Sequence, residues 1–389
     1  MAFRVILIEN EVTIKVKLNN LIITKCGEDI WIPLDDISMI VLDNLASNLS
    51  TRLMCQLAEQ GIGLMLCNQQ HLPTGFYSAY DNHSRASKVI GFQIDKEQDY
   101  YGKLWQQIVK IKIENQAKAY KIMTRDSDGT EKIIEFSKNI LIGDKSNREA
   151  HAAKVYFNLL MGTSFSRGNE DILLNSGLDY GYAVIRGYIA RACVGYGLNT
   201  QIGIHHKSEY NRFNLVDDLM EPLRPIVDIV AYNSMKNDKY FTPEHRRKLV
   251  SILNMKIMYR EKKMYMCNMI ENYIEQYASL IMKRTDNIVF PDVYNLPVET
   301  EEQRRNYRIF RKELIQEGFV MIQYSIYVRV CPSREFANRI ENRIKKSLPL
   351  EGNVRLLCVT EKQYDDMKLL VGSRQTSETA IGTERLIII

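Results

Sequence analysis

The hydrophobic period of this 389-residue chain changes twice, and each change alters what the chain can fold into. Over roughly the first eighty residues, apolar and polar positions alternate, the period of strands with one buried face. Thr13-Ile14-Lys15-Val16-Lys17-Leu18 alternates, Asn19-Asn20 supplies a turn and Leu21-Ile22-Ile23 continues, which predicts a hairpin. Residues 37–42 read as a further strand. Residues 50–60 carry a helical period that ends at Gly61, and an apolar run fills 62–67.

From about Arg85 the period is helical. Residues 97–123, 147–161, 177–196 and 247–282 all suit helices, with few strand signals between them. The abundant Tyr and Met residues there read as core filling at helical spacing. Strand signals return in the last hundred residues. Residues 300–316 form a charged amphipathic helix with Arg304, Arg305, Arg308, Arg311 and Lys312, closed by Gly318. Residues 320–330 then alternate as one strand with a buried face. Residues 333–347 return to helix, with Phe336, Ile340 and Ile344 four apart. Residues 354–359 read as a strand, and Thr360 with Gln363 predicts a capping box for a short final helix. The expected fold class is α+β and multidomain: a small β-sheet domain over 1–84, a mostly α-helical domain over 85–295, and a ferredoxin-like module over 296–389.

Composition removes several classes. A 45% hydrophobic and 25% charged chain matches an ordinary soluble globular protein. It has no apolar run long enough for a membrane span, and residues 1–8 lack the layout of a signal peptide. A cytoplasmic protein with no membrane partner is expected. None of the seven cysteines forms a CxxC pair, so they read as reduced core residues. The net charge of +5 gives no global basic signal, so a nucleic-acid partner would need locally arranged charge.

Chemistry concentrates in two places. His205 and His206 end the glycine-rich stretch Ile202-Gly203-Ile204, just ahead of Asp217, Asp218 and Glu221. On a helix, Glu221 shares a face with Asp218 and Asp217. Glu149 falls in the first turn of a helix that Asn147 could cap, where a carboxylate also suits the helix dipole. Each group has an ordinary reading too, as a first-turn charge or a surface histidine pair. Spacing alone leaves a His/Glu/Glu metal site and those readings both open.

The segment from Asn147 onward, NREAHAAKVYFNLLMG…FSRGNEDILLNSGLDYGYAVIRGYIARACVGYGLNTQIGIHHKSEYNRFNLVDDLMEPLRPIVD, resembles the CRISPR-associated spacer-acquisition integrases in their type II branch. The resemblance runs from the N-terminal sheet to about Asn295. It implies metal ligands at the Glu of NRE, the last His of IGIHH and the Glu of MEP, which are Glu149, His206 and Glu221, with Mg²⁺ or Mn²⁺ as cofactor. His205 is then a neighbour. The implied reaction is transesterification, in which the 3′-hydroxyl of spacer DNA attacks a CRISPR repeat. Double-stranded DNA is the implied partner, and the first domain implies dimerisation. Arg148, Lys207 and Arg224 adjoin the ligands in sequence and are the candidates for phosphate contacts. The tail, LPVETEEQRRNYRIFRKELIQEGFVMIQYSIYV, resembles the small ferredoxin-like subunit of the same machinery, so the chain reads as a fusion. That family places a metal-binding Asp where this chain has Asn295, and an amide replaces a carboxylate poorly around a hard cation. Pro291 also disfavours a regular strand, so 286–295 would stand in imperfectly for the family's first strand. The resemblance implies two large-subunit dimers flanking one small-subunit dimer, hence a homo-oligomer. Two other classes stay open: a metal-dependent nuclease on branched or double-stranded DNA, and a non-enzymatic DNA scaffold from a decayed locus.

Overall fold

A computed structural model describes residues 4–25, 27–80, 83–169, 172–293, 301–323, 326–348, 354, 356–360 and 362–363, in two units, 1–297 and 298–389. Two four-stranded sheets open the first unit. Their strands are β1 (Arg4–Ile8), β2 (Thr13–Lys17), β3 (Asn20–Lys25), β4 (Glu28–Pro33), β5 (Ile37–Leu42), β6 (Asn48–Leu49), β7 (Gly63–Cys67) and β8 (Pro73–Tyr77), with helix α1 (Thr51–Glu59) before β7. One sheet runs β1-β5-β7-β8 and the other β4-β3-β2-β6. Strand β5 pairs in parallel with both β1 and β7, and all six of its residues are buried. A central parallel strand has both faces covered, which is why 37–42 is nearly all apolar. Ile14, Leu21, Leu34, Leu53, Leu57 and Leu64 fill the core beneath.

The predicted hairpin is present, with its turn one residue earlier. Lys17 pairs with Asn20, so the turn is Leu18-Asn19, with φ of 49° and 56°. Both central residues lie in the left-handed region, as a type I′ turn requires. Helix α1 starts where Ser50 accepts a hydrogen bond from the Leu53 N–H at 3.2 Å, and Gly61 follows it at φ 64°.

The rest of the first unit is mostly helical: α2 (Ala86–Ile94), α3 (Gln98–Thr124), α4 (Ser127–Ile134), α5 (Arg148–Met161), α6 (Leu173–Gly195), α7 (Asn214–Met220), α8 (Arg224–Met235), α9 (Pro243–Ser251) and α10 (Met266–Ile281). The expected helix over 247–282 is interrupted. A hairpin of β9 (Lys256–Tyr259) and β10 (Lys262–Tyr265) lies between α9 and α10, turning through Arg260-Glu261 at φ 50° and 61°. Ile257 and Tyr259 are buried while Lys256 and Met258 are exposed, a period of two too short to stand out between two helices. Sheet and helices are tied together by Arg246 Nε on buried Asp43 (2.6 Å) and Arg191 Nε on the Gly61 carbonyl (2.6 Å).

Residues 286–293 form no strand. They pack on the first unit instead: Asn115 Nδ2 donates to the Pro291 carbonyl at 2.9 Å, and Lys118 pairs with Asp292 at 2.8 Å. Strand formation would compete with these contacts at a proline that has no N–H to donate. Asn295, the expected degenerate metal position, lies outside the described residues.

The second unit contains α11 (Glu301–Gln316), β11 (Val320–Gln323), β12 (Ile326–Val328) and α12 (Arg334–Lys346). The alternating run 320–330 is thus a hairpin and not one strand, with Val320 opposite Val328 and Gln323 opposite Ile326. A tight reversal preserves the alternation, so the pattern cannot show that the chain turns back. Phe310, Leu314, Ile340 and Ile344 form the core between the helices. Ser333 caps α12 through the Phe336 N–H. The Thr360–Gln363 capping box forms reciprocally, at 2.9 and 3.3 Å. The strand expected at 354–359 is absent from its described residues, and Leu356 and Leu357 are 50% and 85% exposed. The helix–hairpin–helix order is the interior of a ferredoxin-like module.

Among the described residues six cysteines are free, three of them buried as expected, while Cys55 and Cys358 are exposed. Among the described residues, no helix is long and apolar enough to cross a membrane.

Candidate active site

Helix α3 is the rail on which the site is assembled. Trp105, Lys112 and Asn115, seven and then three residues apart, lie along one side of it, and each touches a different segment. Trp105 stacks on His205 (4.5 Å, 3° between planes) and meets His206 edge-on at 5.7 Å. Lys112 Nζ lies 2.6 Å from Glu149 Oε1 and 2.5 Å from Glu221 Oε2. Asn115 Nδ2 donates to the Pro222 carbonyl at 2.8 Å, fixing the turn that carries Glu221.

Glu149 sits in the first turn of α5, as predicted, but Asn147 makes no side-chain cap there. Asp144 takes that role, accepting from the N–H groups of Arg148 (2.9 Å) and Glu149 (3.0 Å). Asn147 is in the left-handed conformation, φ 52°, whereas a capping residue is normally extended. Glu221 occupies a short turn between α7 and α8 and is 3% exposed. Its Oε1 accepts from Arg224 Nε at 2.9 Å. Its Oε2 is buried and lies 2.5 Å from the Lys112 ammonium, with no further hydrogen-bond partner among the described residues.

His206 is placed by Asp218. The carboxylate of Asp218 is fully buried, accepts from the backbone N–H groups of Ile204 (2.6 Å), His205 (2.9 Å) and His206 (3.3 Å), and lies 2.6 Å from His206 Nδ1. A carboxylate facing Nδ1 favours the proton on that nitrogen, which in the neutral ring leaves Nε2 its lone pair. Gly203 lets the loop close this tightly: a Cβ there would collide with the His206 carbonyl oxygen. Asp217, the other carboxylate on α7, is taken by Arg186 at 2.7 Å.

Residues 5–264 match the family described as CRISPR associated protein Cas1. The CRISPR-associated endonuclease Cas1 of Neisseria meningitidis serogroup C is 31% identical over 304 residues, 76% of this chain and 98% of that protein. The chain belongs to the Cas1 family. A Cas2 domain is fused behind the Cas1 part: residues 286–367 match CRISPR associated protein Cas2. The CRISPR-associated endoribonuclease Cas2 of Ligilactobacillus salivarius is 52% identical over 97 residues, 25% of this chain and 95% of that protein. Among solved structures, a casposase bound to integration product superposes with a TM-score of 0.64 at 16% identity, covering 80% of this chain and 98% of that one. A Cas1 protein from Thermotoga maritima reaches 0.58 at 15% identity, over 72% and 97%. At such identities the superpositions establish the fold.

The charges of the Cas1 site are mutually dependent. Burial pulls the Lys112 ammonium down, but Glu221 and Glu149 outweigh it and hold the group above the ordinary lysine range. Burial pushes Glu221 up, yet Arg224 and Lys112 together keep it below the usual carboxylate range. The hydrogen bond to Asp218 raises His206 against the opposing effect of burial. Among the described residues, no three His, Cys, Asp or Glu side chains are drawn closely enough to hold a metal as they stand. The donors nevertheless fit one. Two carboxylates already converge on one cation, the Lys112 ammonium at 2.6 and 2.5 Å, and the Glu221 oxygen has no other partner among the described residues. An O,O,N set of this kind suits Mg²⁺ or Mn²⁺.

Of the expected phosphate contacts in the Cas1 part, Lys207 is exposed and Arg148 is half-buried beside the Phe136 ring. Arg224 is held by Glu221 and by the face of Tyr182, 4.7 Å away. Lys112 and Asp144 are neighbours that sequence reasoning missed, whereas Asp218 was singled out as a carboxylate on the face of Glu221 and not as the anchor of His206. Lys112 had a legible signal, since it follows Ile108 and Val109 and precedes Ile113 on the buried stripe of α3, where a lysine needs a partner.

Proposed function

We propose that this chain joins the 3′-hydroxyl ends of spacer DNA to a CRISPR repeat by transesterification, with Mg²⁺ or Mn²⁺ held by Glu149, His206 and Glu221. The observation that carries this reading is the convergence of Glu149 from α5 and Glu221 from the turn before α8 on one buried cation, with His206 oriented beside them by Asp218. A divalent ion bound there supplies Lewis-acid polarisation of the phosphodiester. Glu149 and Glu221 provide the anionic oxygens and His206 its free Nε2. Arg224 holds Glu221 in place, while Lys207 and Arg148 are the residues assigned to contact the phosphate backbone.

The nucleophile is the hydroxyl of the substrate, so the reaction requires no activated side chain. The buried thiols agree with that, since burial pushes Cys67 up to about 12 and raises Cys193 and Cys267 as well. The names of the relatives point the same way: the Neisseria protein is called an endonuclease, and the casposase is seen with an integration product. Recognition of duplex DNA through its backbone and shape follows, with binding that weakens steeply as salt rises. The Cas2 part we read as a scaffold without nuclease activity, on the strength of Asn295, and the assembly as a homo-oligomer through both parts.

The test is a pair of variants. Glu149→Ala and Glu221→Ala should retain the circular-dichroism spectrum and DNA binding of the wild type while losing integration into a labelled repeat by at least about 100-fold. Wild-type integration by either variant would remove that residue from the site.

A further inference from the structure

Lys112 is the feature of the site that the proposed reaction leaves unexplained. Its side chain is 8% exposed in the middle of a 27-residue helix, and both of its carboxylate partners come from other elements. A lysine is rarely buried, because stripping water from an ammonium is costly unless opposite charge surrounds it. Here the requirement is mutual. Without Lys112, Glu149 and Glu221 would face each other in a poorly hydrated site, with Arg224 still paired to Glu221.

We infer that Lys112 is a resident counter-cation. It holds Glu149 and Glu221 at ligand spacing in the metal-free protein, and a divalent metal must displace it to bind. Resting on the proposed metal site, this assigns Lys112 a positioning role: it preserves the carboxylate geometry and sets how much free metal is needed to load the site. Three observations support it. The ammonium contacts both carboxylates at once, at 2.6 and 2.5 Å, as a bridging ion would. The Glu221 oxygen it approaches has no hydrogen-bond partner besides the ammonium among the described residues, so no other contact is lost when the cation is exchanged. The same side of α3 anchors the His206 loop through Trp105 and the Glu221 turn through Asn115, so those two segments keep their places when the ammonium leaves. A monovalent group on a flexible stem yields to a divalent ion because the ion gains roughly twice the Coulomb attraction of each carboxylate.

The test uses the full chain without DNA, with Mn²⁺ as the probe. Lys112→Met keeps the length of the stem and removes the charge. It should bind Mn²⁺ at least tenfold more tightly than wild type by titration calorimetry, melt lower than wild type in EDTA, and gain more in melting temperature on Mn²⁺ addition. Lys112→Arg, which retains the charge, should stay near wild-type affinity. Should Lys112→Met fail to fold, the wild-type protein decides. Amine-reactive acetylation read by mass spectrometry should find Lys112 protected in EDTA and labelled progressively as Mn²⁺ rises, and protection unchanged by Mn²⁺ would overturn the proposal. Mn²⁺ binding that is lost in Glu149→Ala and Glu221→Ala, yet no tighter in Lys112→Met, would overturn the role of Lys112 and leave the metal site standing. Mn²⁺ binding that persists in the doubly substituted Glu149→Ala, Glu221→Ala protein would overturn both.

Discussion

At the scale of single residues, the site depends on groups that orient other groups. Asp218 touches no proposed substrate position, yet it gathers three backbone N–H groups and the ring of His206. Asp218→Asn keeps the size but offers an N–H in place of one acceptor oxygen, so the loop and imidazole lose their common anchor. Mn²⁺ affinity should fall about 10–100-fold, measured by calorimetry, with the circular-dichroism spectrum unchanged. Asp228 gives a different kind of prediction. Burial raises its carboxyl from 3.8 to about 6, even though Tyr182 and Tyr156 donate to it at 2.5 and 3.0 Å. The folded protein therefore holds this proton more tightly than the unfolded chain. Its stabilising contribution is fully present below about pH 4 and is lost as pH rises through about 6. Relative to Asp228→Asn, the wild type should lose on the order of 3 kcal/mol between pH 4 and pH 7, read from chemical denaturation of the two proteins at both values. Lys112 illustrates how far single residues were legible. Its burial could be inferred from its apolar neighbours on α3, but its partners lie 37 and 109 positions away, and no local pattern encodes such a meeting.

At the scale of elements, the sequence announces those whose ends carry their own chemistry. Ser50 before α1 and Ser333 before α12 are caps readable from residue type, and both form. The start of α5 is the exception, because its cap comes from Asp144, upstream of a left-handed Asn147. Two elements were misread. The hairpins β9–β10 and β11–β12 are short: the first is a brief alternation between two helices, and the second reverses within a run whose alternation continues. In β9–β10 the turn residues give no warning, since Arg260 and Glu261 adopt left-handed φ without glycine or asparagine. Glu261→Gly should remove that strain and stabilise the first unit by up to about 1 kcal/mol, visible as a higher denaturant midpoint. An unchanged or lower midpoint would mean that the Glu261 side chain compensates locally.

At the scale of the whole molecule, two proteins of one machinery share a chain, and the metal chemistry is assigned to the first. Residues 286–293, where the Cas2 match begins, form no strand and pack through Asn115 and Lys118 on the first unit. The Cas2 part is accordingly expected to shape and hold DNA while the Cas1 part joins it. The most direct test is a half-site assay in which a free-ended duplex is offered together with a labelled CRISPR repeat, with Mn²⁺ or with EDTA. The account predicts a longer, branched product in which a spacer 3′ end is covalently joined to the repeat, formed with Mn²⁺ and absent in EDTA. Cleavage of the repeat without joining, or joining that proceeds undiminished in EDTA, would contradict it.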